Sequence, residues 1–170
     1  MDWAETIIAA LREHQVSLIT LVPDEQLIPL IAGAQADTGF TTLTATREEE
    51  AIGIASGAVL GGRRAAVLMQ SSGFGNSVNA LASLVVPYQL PVPLFISERG
   101  TLGEHNAVQV PIARTLRPAL DALGIAHLTL ERPDELAFSV SRTLRQAFLT
   151  QAPAVLFLSP QLTGGMKRTH

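Results

Sequence analysis

Three consecutive carboxylates, Glu48, Glu49 and Glu50, are the residues in this sequence best placed to take up and return a proton. They stand in Thr46-Arg47-Glu48-Glu49-Glu50-Ala51, where the pattern predicts a helix start, with Thr46 as N-cap and Glu49 completing a capping box. The helix dipole by itself explains acids at such a position. The continuation Ala51-Ile52-Gly53-Ile54-Ala55-Ser56-Gly57 is harder to explain as ordinary helix. Gly53 and Gly57 lie one turn apart, each costing about 1 kcal/mol relative to alanine, which implies that something approaches that face closely.

Three further stretches could serve a bound ligand. Gln70-Ser71-Ser72-Gly73-Phe74-Gly75-Asn76 follows an apolar run and leads into a helix expected from Asn76, a placement that suits an anion or cofactor on backbone amides. Gly73 and Gly75 either serve that purpose or simply turn the chain, with Asn76 as a cap. A dinucleotide fingerprint with Glu98 as ribose acid fits poorly, because Val78 occupies the third glycine position and the turn follows the third strand, not the first. In Val22-Pro23-Asp24-Glu25, Asp24 is either a helix N-cap or, like Glu25, a group turned toward substrate. The polar loop Ser97 to Gln109 holds Arg99, Glu104 and His105. Arg99 offers a forked donor to a carboxylate or sulfonate, unless it is ion-paired with Glu98 or Glu104. The imidazole of His105 could carry protons, unless it is only an exposed loop residue. His14 and His127 adjoin apolar segments and read as structural.

Composition removes several kinds of chemistry. There is no cysteine, which excludes thiolate catalysis, disulfides and thiolate metal sites. The only lysine is Lys167, in the polar C-terminal stretch, so neither a Schiff-base lysine nor a phosphate-binding Walker lysine is available in the fold. A net charge of -3 offers no basic field for nucleic acid. No apolar run reaches the roughly 18 residues of a membrane span, and the acidic N-terminal segment does not resemble a basic signal peptide, so the expectation is a cytoplasmic protein away from membranes.

At 170 residues and 47% hydrophobic, the chain suits one domain with one core. We expect that domain over residues 1–160, followed by a polar, flexible tail over 161–170. Helical spacing of Trp3, Ile7, Ala10 and Leu11 precedes a β-branched run at Val16–Val22, and the alternation continues to the end. Helices are expected at Glu25–Ala36, Arg47–Gly61, Pro111–Leu123 and Pro133–Leu149, besides the one from Asn76. Strands are expected near Phe40–Leu43, Ala65–Gln70, Val92–Ser97, Ala126–Leu130 and Ala154–Leu158. Continuous apolar strands alternating with helices predict an α/β fold, an open parallel sheet with helices on both faces. Ligands in such folds bind at the carboxyl ends of the strands, where the four stretches described above lie.

The run from Met69 to Leu81, together with a glutamate three residues before Ala51 and the small-residue helix that follows, resembles the pyrimidine-binding domain of thiamine-diphosphate-dependent decarboxylases. Within that superfamily it closely resembles the sulfopyruvate and phosphonopyruvate decarboxylases, including an Arg-Gly-x-x-Gly-Glu segment at Arg99–Glu104. The resemblance spans Asp2 to Pro160. It implies a thiamine-diphosphate-binding fold and a catalytic Glu48, which would share a proton with N1′ of the aminopyrimidine from surroundings that make its neutral form accessible. It also implies that Gly73, Gly75 and Asn76 line the cofactor pocket. Asp24, Glu25, Arg99 and Glu104 would face an anionic 2-oxo acid, and His105 would assist proton movement.

Family members hold Mg2+ and diphosphate through a Gly-Asp-Gly motif in a second domain, and no Gly-Asp pair occurs here. The resemblance therefore implies half of an active site: an α-like chain that shares the cofactor with a diphosphate-binding β chain, which would hold the Mg2+, and that self-associates. The implied reaction is decarboxylation of 3-sulfopyruvate to sulfoacetaldehyde. Phosphonopyruvate, another 2-oxo acid, or a non-catalytic assembly or regulatory role are the alternatives.

Overall fold

The computed structural model describes residues 2–165. Strands β1 (Val16–Leu21), β2 (Thr41–Thr44), β3 (Arg64–Gln70), β4 (Pro93–Ser97), β5 (Ala126–Leu130) and β6 (Ala154–Leu158) form one six-stranded sheet in the order β2-β1-β3-β4-β6-β5. Every pairing is parallel, with Ile19 beside Ala66 and Phe95 beside Leu156. Covering such a sheet takes helices on both faces. Helices α1 (Trp3–Glu13), α2 (Ile28–Ala36) and α6 (Pro133–Thr150) bury Ile7, Leu11, Leu30, Val140 and Leu144 against one face. Helices α3 (Glu48–Leu60), α4 (Ser71–Ala80) and α5 (Gln109–Ala122) bury Ile52, Ala55, Phe74, Leu116 and Leu120 against the other. Strands β4 and β6 are buried along their whole length, which is why they read as unbroken apolar runs. This is the open α/β sheet expected from the sequence.

After β1 the chain turns to one side to make β2 and then returns to make β3 on the other side. Such a reversal leaves a crevice between the loops at the carboxyl ends of the two strands. Among the described residues, no helix is long and apolar enough to cross a membrane.

Local structure departs from expectation at three places. Helix α4 begins at Ser71, so Gly73 and Gly75 lie inside its first turns and Asn76 is not a cap. The Thr46–Glu49 capping box is absent: Arg47 is the N-cap of α3 with no side-chain cap bond, Glu50 accepts a hydrogen bond from the Thr46 amide at 2.7 Å, and Glu49 pairs with Arg47. The stretch after residue 160 begins as a further helical turn, α7 (Pro160–Thr163), capped by Ser159 and anchored by buried Leu162. Residues 166–170, with Lys167, lie outside the described residues.

Candidate functional site

Helix α3 is held at its start by Thr20, a buried β1 residue whose hydroxyl donates to the Ala51 carbonyl at 2.8 Å. That bond fixes Glu48, the first residue of the helix, at the carboxyl end of the sheet. The three acids then differ sharply. Glu49 is taken by Arg47, and a backbone hydrogen bond, followed by the one from Arg47, holds its carboxyl below the usual range, while Glu50 is taken by the Thr46 amide. Glu48 is half-buried, and its carboxylate has no hydrogen-bond or ion-pair partner among the described residues. It packs instead on the backbone of Gly73 in the first turn of α4, where a β-carbon would overlap Cγ, Cδ and Oε1 of the glutamate.

The neighbouring glycines have separate reasons. Gly75 faces α5, and a β-carbon there would stand 2.8 Å from the end of the Ile112 side chain. Asn76 is exposed. Gly53 and Gly57 are exposed, with no atom within 4 Å of where a β-carbon would stand, so the close approach that their spacing implied is not made within this chain.

Asp24 sits at the crevice between β1 and β3 and is fully engaged. Its carboxylate accepts from the Gln26 amide at 3.1 Å, capping a 3-10 turn over Glu25–Leu27, from Gln70 Nε2 at 2.8 Å and from the Ser97 hydroxyl at 2.8 Å. Gln70 in turn accepts from the Ser72 hydroxyl. One carboxylate thus ties together the ends of β1, β3 and β4. Glu25 beside it is exposed.

Beyond β4, Arg99 and Glu104 form a buried, two-pronged ion pair, with Nε and one Nη donating at 2.6 and 2.9 Å and side chains only 7% and 4% exposed. Glu104 also accepts from the amides of Gly100 at 3.0 Å and Asn106 at 2.8 Å. The Arg99 guanidinium, with desolvation opposing and the two amides assisting, holds the Glu104 carboxyl well below the usual range. Between this loop and the start of α7 lies a cavity of about 250 Å3, lined by Gln26, Arg99, Glu104 and His105 among others. Glu48 does not line it. His105 itself is exposed. On the far side of the loop, Glu98 is paired with Arg117 at 2.8 Å, and the Arg117 guanidinium lies 4.4 Å from the centroid of the Phe157 ring.

The structure therefore joins Glu48 to Gly73, and Arg99 to Glu104 with His105 nearby, while Gly75 faces α5 and Asn76 is exposed. Sequence reasoning missed Thr20 and gave Gln70, Ser71 and Ser97 no role of their own within the stretches it singled out. Their common signal is a polar residue in or just after an otherwise apolar strand, which is costly unless the group is bonded.

Residues 1–117 match the family described as thiamine pyrophosphate enzyme, N-terminal TPP binding domain. The chain is 38% identical over 135 residues to the sulfopyruvate decarboxylase subunit alpha of Methanococcus maripaludis, covering 79% of this chain and 81% of that one. It is 41% identical over 126 residues to the subunit of the same name from Methanocaldococcus jannaschii, covering 74% and 75%. Among solved structures, the 2-oxoglutarate:ferredoxin oxidoreductase of Magnetococcus marinus superposes with a TM-score of 0.66 at 12% identity, over 96% of this chain and 29% of that one, a likeness of fold. The chain belongs to the thiamine pyrophosphate enzymes, as a member of their N-terminal TPP-binding domain family.

Proposed function

We propose that this chain is the α subunit of a thiamine-diphosphate-dependent decarboxylase that converts 3-sulfopyruvate to sulfoacetaldehyde and carbon dioxide, with Glu48 as its acid–base residue. The observation that carries the reading is that Glu48, alone of the three adjacent acids, has no internal partner and rests on a glycine that leaves room beside it. Those residues fit an aminopyrimidine: a carboxylate free to meet a ring nitrogen, and a cradle that a single β-carbon would fill. When bound, the cofactor supplies the electron sink for the pair left by departing carbon dioxide. The task of Glu48 is to hold or pass one proton at the ring nitrogen.

On this chain alone Glu48 is only half-buried, so a second chain must close over it to exclude water. We assign the diphosphate and Mg2+ to that β chain, because this sequence has no Gly-Asp pair. The open Gly53/Gly57 face of α3 is a surface for close packing of the partner or of a second copy. Exposed Asn76 and His105 are the groups left to meet cofactor or substrate, while Gly75 serves by letting α4 lie close on α5. We read residues 1–160, with the α7 turn packed on them, as the domain and the cytoplasm as its place. The sulfonate substrate rests on the names of the relatives.

The test is to co-purify the chain with its candidate β chain, add thiamine diphosphate and Mg2+, and measure carbon dioxide release from sulfopyruvate, phosphonopyruvate and pyruvate. Release is expected, fastest from sulfopyruvate. A stable, cofactor-loaded complex that decarboxylates none of the three overturns the reading.

A further inference from the structure

We propose that Arg99, Glu104 and Ser71 are positioning residues for Glu48: the buried ion pair is a clasp that sets the start of α4, and not a fork that holds the substrate. The inference rests on the role given above to Glu48.

The Nε–Nη edge of the Arg99 fork is already filled, and the side chain is only 7% exposed. Along its Nε edge two of its three nitrogens donate to Glu104, and the same carboxylate accepts from the Gly100 and Asn106 amides, so an acid taking that edge would have to displace an acceptor held by four N–H groups. Asp24 and Glu25 also act on Arg99, reinforcing the Glu104 hydrogen bond in holding its charge, and they would repel a second anion. The pair instead closes a short loop on itself. Gly100 takes a left-handed conformation, with φ of 77°, and a β-carbon there would overlap the Gln109 carbonyl at the start of α5, so the loop is folded tightly against that helix.

What the clasp controls is the Arg99 amide, which donates to the Ser71 hydroxyl at 3.0 Å in a fully buried contact. Ser71 is the first residue of α4, and the N-cap Gln70 makes no side-chain cap bond to the helix. Two residues later comes Gly73, whose backbone supports Glu48. The path from clasp to carboxylate is thus Glu104 to Arg99, Arg99 amide to Ser71, and Ser71 through one helical turn to Gly73.

The two roles separate by substrate. In the two-chain holoenzyme, Ser71→Ala and Glu104→Gln should each lower kcat for sulfopyruvate and for pyruvate by the same factor, about ten- to a hundredfold. KM should change little for either acid, and the preference between them should be kept. A rise in KM confined to sulfopyruvate, or unchanged kcat in both folded variants, overturns the clasp and restores the fork. Hydrogen–deuterium exchange on the same complexes reads the device without turnover. Amides of residues 73–75 should exchange faster in both variants than in wild type, and equal protection would overturn the proposal. If wild type decarboxylates neither acid but exchange rises as stated, the role of Glu48 has failed while the clasp on α4 stands.

Discussion

The carboxylate of Glu48 rests on the α-carbon of Gly73, a contact between residues 25 positions apart that only a glycine permits. Substituting Gly73→Ala adds one carbon where the glutamate side chain now lies. Helix propensity favours the change by about 1 kcal/mol, and the displaced atoms belong to a flexible side chain. We therefore predict a melting temperature within a few degrees of wild type and loss of most turnover. Circular dichroism melts beside carbon dioxide assays check this, and a variant with native turnover would mean that Glu48 need not lie where Gly73 puts it.

Thr20 anchors the same helix from the sheet side. Thr20→Val keeps the shape and removes the donor, and we predict a loss of about 1 kcal/mol in urea unfolding. Activity should fall further than that loss explains at temperatures where the variant is folded, because the start of α3 carries Glu48.

Glu104 sets a pH signature. Its folded carboxyl is held well below the usual range, chiefly by the Arg99 guanidinium, whereas in the unfolded chain it titrates near about 4.3. A depressed folded value means stability that is complete above the unfolded pKa and is lost as pH falls below it. Between about pH 5 and pH 3, wild type should therefore lose stability more steeply than Glu104→Gln, and parallel curves from urea unfolding would contradict the assignment.

Arg117 tests the buried charge beside the loop. Arg117→Leu leaves Glu98 with no ion-pair partner in a buried setting and should cost about 3 kcal/mol. Adding Glu98→Gln should recover most of that, since the remaining group is neutral. A double mutant no more stable than Arg117→Leu would show that the packing of Arg117 on Phe157 dominates.

The layered fold was legible because its strands are buried on both faces and its helices on one, which fixes the two periods in the sequence. Ser71-Ser72-Gly73 was misread as a turn for a physical reason. These residues are weak helix formers in isolation, and α4 includes them because Gly73 accommodates Glu48 and Gly75 accommodates Ile112. The start of α3 was misplaced by one residue because Thr46 is the better cap by type, while the chain uses Arg47 and lets Glu50 reach back. Glu48 could be singled out only through resemblance, since three adjacent acids look alike until their partners are known. The web joining Asp24 to Gln70 and Ser97 was invisible, because its members are 46 and 73 residues apart and meet only where the strands end. Leu162 was the missed sign that the stretch after residue 160 begins in packed structure.

The central claim is that one carboxylate among three moves the proton. Glu48→Gln, Glu49→Gln and Glu50→Gln should be compared in the cofactor-loaded complex for carbon dioxide release from sulfopyruvate. The account predicts a loss of about a hundredfold or more for Glu48→Gln, within the range for removing an acid–base group, and changes of only a few-fold for the other two. A folded, cofactor-bound Glu48→Gln complex that turns over at the wild-type rate would contradict it.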